Sequence, residues 1–187
     1  VSLCYNISIM KNYIVFDLEW NQSANGKERS IPHFPFEIIE IGAVKLNETF
    51  QMVDEFHRLI RPQVYTQMHH AISEVTHMDM KELRNSGELF PDAAAEFLSW
   101  CGGDAVFCTW GNMDLLELQR NMDYYHMDNP FPKPFFYYDV QKLYGLFCRE
   151  NARISLDSAV EEQGLLENRP FHRALDDAYY TGKLLTM

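Results

Sequence analysis

The first third of the chain carries the apolar and polar pattern that is typical of β-strands. Tyr13–Trp20 (YIVFDLEW) begins with residues that are apolar on both faces, as in a central strand, and Phe36–Leu46 is rich in apolar and β-branched residues. Met52–Pro62 alternates between polar and apolar residues and ends at a proline, which predicts a third strand. Asn47 and Glu48 predict the turn before it. These segments therefore predict a meander.

The remainder of the chain alternates helical patterns with short strands. Pro91 is typical of a helix start, Ser155 of a helix cap and Gly164 of a helix end. The predicted helices cover Leu89–Gly103, Asn112–Tyr125, Ile154–Leu165 and His172–Leu185. Ala105–Trp110 predicts a short buried strand, and after the proline-rich connector Asp128–Phe136 the segment FYYD predicts another that runs into a helix. This order predicts an α/β fold with a mixed sheet and helices on its faces.

Composition narrows the class of protein. Hydrophobic residues make up 47% of the 187 residues, enough for one core, and no apolar run approaches the roughly 18 residues of a membrane span. Four cysteines lack the paired spacing of a metal or redox motif, which predicts reduced thiols in a cytoplasmic protein. The start lacks the order of a signal peptide, and Met10 is an alternative start. We therefore predict a single domain over 11–187 after a short N-terminal extension, 1–10.

The net charge bears on the partners of the protein. Its value of −11 argues against broad electrostatic binding to nucleic acid. An acidic protein can still bind phosphates where metal ions or a local patch reverse the field. Any binding of nucleic acid therefore has to depend on a local site.

Two carboxylates near the end of the first strand are the first candidates for such a site. Asp17 and Glu19 are two residues apart, and on a strand they share one face. One interpretation is a solvent-facing edge. The other is a bound divalent cation, which would remove the repulsion between the two charges, and oxygen ligands suit Mg²⁺ or Mn²⁺.

Two further elements carry isolated acids. Asp114 follows a buried strand and a glycine at a predicted helix start, where it could equally complement the helix dipole. His172 and Asp177 are five residues apart, and two helical positions with that spacing do not share a face. Both can serve one site only if His172 lies before the last helix. Alternatively, Asp176 and Asp177 are ordinary first-turn acids.

The order of these elements resembles a known family. A D-x-E on the first strand, an acid after an internal strand and H-x4-D at the last helix resemble the DEDDh family of 3′→5′ exonucleases, from Asn12 onward. The segments PFEIIEIGAVKLN, IRPQVYTQMHHAISEVTHM and RPFHRALDDA resemble the Eri1/KapD-like subgroup, whose better known members trim RNA 3′ ends. The chain departs from the family at Thr76-His77-Met78, where a Thr-Gly pair followed by an apolar residue is usual.

The resemblance implies an RNase H-like sheet of the DnaQ-like exonuclease type and a two-metal reaction. The implied ligands of two divalent cations, Mg²⁺ or Mn²⁺, are Asp17, Glu19, Asp114 and Asp177, and the implied general base is His172. By family position, the residues that would flank the terminal sugar and base are Leu18, Met78 and Leu115, each of which could instead be ordinary core. The implied partner is the 3′ end of single-stranded RNA or DNA, RNA in particular, with no membrane.

Other interpretations stay open. The chain could be a regulatory module that kept the fold, lost catalysis and binds a protein partner, as in a sporulation kinase pathway. It could also be a metal-dependent phosphoesterase that acts on small nucleotides. Three arginines near the last motif are candidates to contact a phosphate backbone, with solvated surface as the alternative: Arg153, Arg169 and Arg173.

Overall fold

The computed structural model describes residues 11–26, 29–149 and 153–187, so the extension predicted over 1–10 lies outside the described residues. In this part of the chain there are five strands and seven helices. The strands are β1 (Asn12–Asn21), β2 (Glu37–Leu46), β3 (Met52–Leu59), β4 (Ala105–Thr109) and β5 (Tyr137–Asp139). The helices are α1 (His70–Thr76), α2 (Met80–Ser86), α3 (Phe90–Cys101), α4 (Met113–Tyr124), α5 (Val140–Cys148), α6 (Leu156–Glu162) and α7 (Ala174–Leu185).

The strands form one mixed sheet in the order β3-β2-β1-β4-β5. β2 pairs antiparallel with β1 and with β3, which follows it through the turn at Asn47, whereas β4 pairs parallel with β1 and with β5. The predicted meander, the mixed sheet and the α/β class are therefore confirmed. No helix among the described residues combines the length and apolar character needed to span a membrane.

The central strand is buried on both of its faces. On one face Phe16 packs against Phe97 of α3, with ring centroids 5.5 Å apart. On the other face Val15 lies in a cluster that Leu175 of α7 covers. The apolar start of β1 thus reflects helices on both sides of the sheet, because every side chain of a doubly covered strand meets an apolar layer.

Several element ends differ from the sequence prediction. The third strand ends at Leu59 rather than Pro62. Ile60 still donates its N–H to the Ile39 carbonyl of β2, but it forms an isolated parallel bridge to Glu88, and the Arg61 N–H donates to the Glu88 carbonyl. Ser155 precedes α6, but its hydroxyl donates to the Asp157 carboxylate and bonds to the Ser158 hydroxyl instead of accepting a backbone N–H. The short helices α1 and α2 were not predicted.

A local signal for α2 was nevertheless present in the sequence. Asp79 caps the helix by accepting the N–H of Glu82 at 2.8 Å, and an acid followed three residues later by Glu is typical of a helix start. Each of the two helices has only seven residues, which is too short for a helical period of apolar residues to be recognised.

Helix α7 crosses the sheet in direct contact with the backbone of β2. A Cβ atom at Gly42 would lie 2.0 Å from the backbone nitrogen of Leu175 and 2.1 Å from the carbonyl carbon of Ala174. Gly42 is paired with Asp17 on β1. The missing side chain therefore lets the start of α7 lie directly over the strand pair that carries the first candidate acid.

We expect Gly42→Ala to lower the free energy of unfolding by more than about 2 kcal/mol, because a methyl group here can be accommodated only if α7 moves away from the sheet. Gly103→Ala is the matched control, since a Cβ at Gly103 meets nothing within 4 Å. We expect this variant to change stability by less than about 0.5 kcal/mol. Urea unfolding followed by tryptophan fluorescence measures both, and equal stabilities would contradict the close approach.

Candidate active site

Strand β1 presents two acids toward α7. Asp17 and Glu19 alternate with the buried Leu18, so they lie on the same face as Val15, which α7 covers. A bulge follows directly, between Glu19 and Trp20, where the register with β2 shifts. The predicted sharing of one face is confirmed, and this face is covered rather than solvent-facing.

Asp114 reaches the same strand from the opposite side. It is the second residue of α4 and is only 5% exposed. Its Oδ1 accepts the backbone N–H of Leu18 at 3.1 Å, between the two acids of β1. Asp114 is therefore tied to the sheet and does not simply face solvent at a helix start.

The last motif brings a histidine and an acid to this face. His172 lies before α7 in a left-handed conformation with φ 64°, and its backbone N–H donates to Oδ2 of Asp177 at 3.2 Å. The helix predicted from His172 begins at Ala174 instead, so the condition that His172 precede it for both residues to serve one site is met. Asp177 is buried, whereas Asp176 forms an ion pair with Arg169 at 2.9 Å.

Three of these side chains meet closely enough to share one ion. Glu19, His172 and Asp177 each offer a ligand atom, and these atoms lie within 4.8 Å of one another. Asp17 and Asp114 belong to the same cluster: burial raises the pKa of Asp17, and the charges of Asp114 and Asp177 raise it further. The structure thus brings all five predicted residues to one place.

The electrostatics of the cluster favour a bound cation. Burial, together with the neighbouring carboxylates, raises the pKa of Glu19 to about 8. Burial also raises the pKa of Asp114 and of Asp177 to about 7, against the opposing effect of backbone hydrogen bonds. Among the described residues, the buried Oδ1 of Asp177 accepts no hydrogen bond. A divalent cation would satisfy this oxygen and offset the repulsion, so the residues present fit such an ion.

A buried glutamate on β2 holds the start of α7 in position. The carboxylate of Glu40 accepts hydrogen bonds from the Arg173 guanidinium at 2.7 Å, from the Ala174 N–H at 3.0 Å and from His57 at 2.7 Å. Burial raises the pKa of Glu40, but these hydrogen bonds outweigh burial and lower it. Because Glu40 stays ionised, it anchors the residue that directly follows His172.

Sequence reasoning missed Glu40 and its partners. The available signal was an acid inside the otherwise apolar strand EIIEIGAVKL, since a buried charge requires a partner. The partner Arg173 is 133 residues away along the chain, so no local pattern identifies it.

The structure places the predicted nucleotide-flanking residues in apolar clusters. Leu18 and Leu115 share the cluster of α3 and α4, directly beside Asp17 and Asp114. Met78 is fully buried in a separate cluster with Ile39 and Leu83. Contact between these residues and a terminal nucleotide stays a prediction.

Comparisons with known proteins agree with this geometry. The RNase_T family model, described as exonuclease, matches residues 14–185. The probable 3′-5′ exonuclease KapD of Bacillus subtilis (strain 168) is 28% identical over 184 residues, which cover 93% of this chain and 82% of KapD. The PolC-type DNA polymerase III of Thermotoga petrophila is 34% identical over 150 residues, which cover 79% of this chain but only 10% of the polymerase.

Solved structures share the fold. The nuclease domain of 3′hExo, a DEDDh family member bound to rAMP, has a TM-score of 0.78 at 24% identity, and the match covers 96% of this chain and 92% of that domain. A 3′-exonuclease solved in 3′-end specific recognition of the histone mRNA stem-loop has a TM-score of 0.77 at 23% identity. The match covers 95% of this chain and 63% of that exonuclease chain. The chain therefore belongs to the RNase_T exonuclease family, and its resemblance to DEDDh exonucleases of the Eri1/KapD-like subgroup is confirmed.

Proposed function

We propose that this protein is a metal-dependent 3′→5′ exonuclease that releases nucleoside 5′-monophosphates from the 3′ end of single-stranded nucleic acid, RNA in particular. The observation that carries the proposal is the acid cluster, in which Glu19, His172 and Asp177 bring ligand atoms within 4.8 Å of one another, together with the buried Oδ1 of Asp177, which has no hydrogen-bond partner among the described residues. RNA is favoured because similar folds were solved with rAMP and with a histone mRNA stem-loop.

In the proposed reaction the acids hold two divalent cations, Mg²⁺ or Mn²⁺. Glu19 and Asp177 would bind one ion, Asp114 the other, and Asp17 both. When bound, such ions supply an activated water and neutralise charge on the attacking and leaving oxygens. His172 is exposed at the rim of the cluster and takes the proton of the attacking water. Leu18 and Leu115 would support the terminal nucleotide.

The decisive experiment follows the products from oligonucleotides. We expect 5′-labelled single-stranded RNA and DNA to shorten one nucleotide at a time with Mg²⁺ or Mn²⁺ and to stay intact with EDTA. Asp17→Asn should lower kcat by about 10³-fold or more. The reason is that the stabilisation of transition-state charge by a metal ion is worth several kcal/mol and would be lost with its ligand. Asp104→Asn, an exposed acid beside the start of β4, is the matched control.

Three outcomes would count against the exonuclease. Intact oligonucleotides under all conditions would support a regulatory module, and its protein partner stays a prediction. Hydrolysis of small nucleotide esters alone would support a phosphoesterase. Metal-dependent shortening that Asp17→Asn leaves unchanged would place the chemistry elsewhere.

We expect the stability of the metal-free protein to fall as the pH rises from about 5 to 8. Free carboxyl groups titrate near pH 4, whereas burial raises the pKa of Asp114 and of Asp177 to about 7. The folded protein therefore binds more protons than the unfolded chain within this window, and stability declines until these groups are ionised. Saturating Mn²⁺ should raise the melting temperature more at pH 8 than at pH 6.

Thermal unfolding with EDTA or Mn²⁺ tests this expectation. Asp17→Asn should weaken both the pH dependence and the Mn²⁺ shift, whereas Asp104→Asn should preserve them. A metal-free stability that rises steadily to pH 8, with no Mn²⁺ shift, would show that the acids do not repel one another.

We expect His172→Asn to lower kcat by about 10²–10⁴-fold, the usual contribution of a general base. Its affinity for Mn²⁺, measured by isothermal titration calorimetry, should stay within about twofold of wild type if the side chain only moves a proton. Asp177→Asn is the comparison variant and should weaken Mn²⁺ binding clearly. Equal losses of affinity in the two variants would make His172 a metal ligand instead.

A further inference from the structure

The three arginines singled out in the sequence have different environments. Arg173 is bound to Glu40, and Arg169 forms ion pairs with Asp176 and Glu55. These two guanidinium groups are therefore committed to holding the fold. Arg153 is exposed, and within the described residues no hydrogen bond or ion pair engages it.

Arg153 lines a polar cleft of about 240 Å³. The other walls are the turn Trp110–Met113, which joins β4 to α4, and the start of α5 with Gln141 and Lys142. Gln141 ties the start of α5 to the segment that carries Arg153, since its side chain donates to the Ile154 carbonyl at 2.7 Å. The cleft is thus built from three separate segments that the fold brings together.

The cleft lies on the same edge of the sheet as the acid cluster. β1, β4 and β5 are parallel, so their carboxyl ends meet at one edge. The acids sit near the end of β1, while the cleft opens at the ends of β4 and β5. Met113 lines the cleft, and the next residue is Asp114, whose carboxylate is tied to β1. The cleft and the acid cluster are therefore neighbours along this edge of the sheet.

The charges of the cleft oppose those of the rest of the protein. Among the described residues that line the cleft, the cations are Lys142 and Arg153 and the acid is Asp139. That carboxylate is already engaged, because it caps α5 by accepting the Lys142 N–H at 3.0 Å and lies 3.7 Å from the Lys142 ammonium. The cleft is therefore net positive in a chain with a net charge of −11. Such a site attracts an anion. Because the adjoining acids repel a polyanionic substrate, binding of that substrate requires positive charge close by.

We propose that this cleft binds the phosphodiester backbone of the substrate strand, upstream of the 3′-terminal nucleotide. The inference rests on the proposed exonuclease function and adds the path of the nucleic-acid strand upstream of the site of cleavage. A single strand is held by a positively charged groove that follows its backbone, and Arg153 and Lys142 provide two such contacts. Because phosphates carry no sequence information, the cleft contributes affinity without sequence preference.

The test compares substrate length and salt dependence. We expect Arg153→Gln and Lys142→Gln each to raise KM for a single-stranded RNA 12-mer by about threefold to fivefold, with kcat changed less than about twofold. The slope of log KM against log salt concentration should fall by about 0.7 for each cation removed. The effect should shrink on the p-nitrophenyl ester of thymidine 5′-monophosphate, which has no upstream phosphate.

Lys133→Gln is the matched control. It removes an exposed cation from the proline-rich connector, outside the cleft, and should leave KM and the salt slope unchanged. Variants of Arg153 and Lys142 that behave like Lys133→Gln would overturn the proposal. A loss of kcat on the small ester equal to that on the 12-mer would also overturn it, because the side chains would then act on the reaction centre.

Equilibrium binding separates this inference from the proposed function. Fluorescence anisotropy of a labelled 12-mer should show the same loss of affinity and of salt slope in the two cleft variants, even if wild type fails to cleave. Weakened binding without cleavage would support the cleft and refute the exonuclease. Cleavage with unaltered binding in both variants would support the exonuclease and refute the cleft.

Discussion

The buried charge of Glu40 is the interaction on which the site depends most. A carboxylate without solvent is tolerated only where charged and polar donors surround it, and here Arg173, the Ala174 N–H and His57 supply them. These donors belong to the start of α7 and to β3, so one side chain joins three elements. The orientation of α7 then follows, and with it the positions of His172 and Asp177.

A matching steric constraint sets the distance of α7 from the sheet. Gly42 brings the helix backbone into direct contact with β2, opposite Asp17. Charge pairing at Glu40 and close contact at Gly42 are two residues apart on one strand. Together they bring Asp177 of α7 close to Glu19 of β1.

The cluster itself opposes folding in the absence of metal. Several carboxyl groups are buried together, and burial raises the pKa of each, so their charges destabilise the metal-free protein. The surrounding scaffold offsets this with well-satisfied polar groups. Glu37, for example, accepts the backbone N–H groups of Gln63, Val64 and Tyr65, which secures the loop after β3. Satisfied polar groups thus surround a cluster of acids whose repulsion a bound cation would offset.

The sequence by itself determined what depends on local geometry. Strand alternation placed Asp17 and Glu19 on one face, and the angular spacing of a helix required His172 to precede α7, because both follow from backbone periodicity. The tertiary structure decided what joins distant segments: the pairing of Glu40 with Arg173 and the bond from Leu18 to Asp114. It also engaged Arg169 with Asp176, whereas Arg153 meets no such partner in the described part of the chain. Those contacts arise from packing between elements that are far apart along the chain. The local pattern of polar and apolar residues therefore does not identify the partner of each side chain.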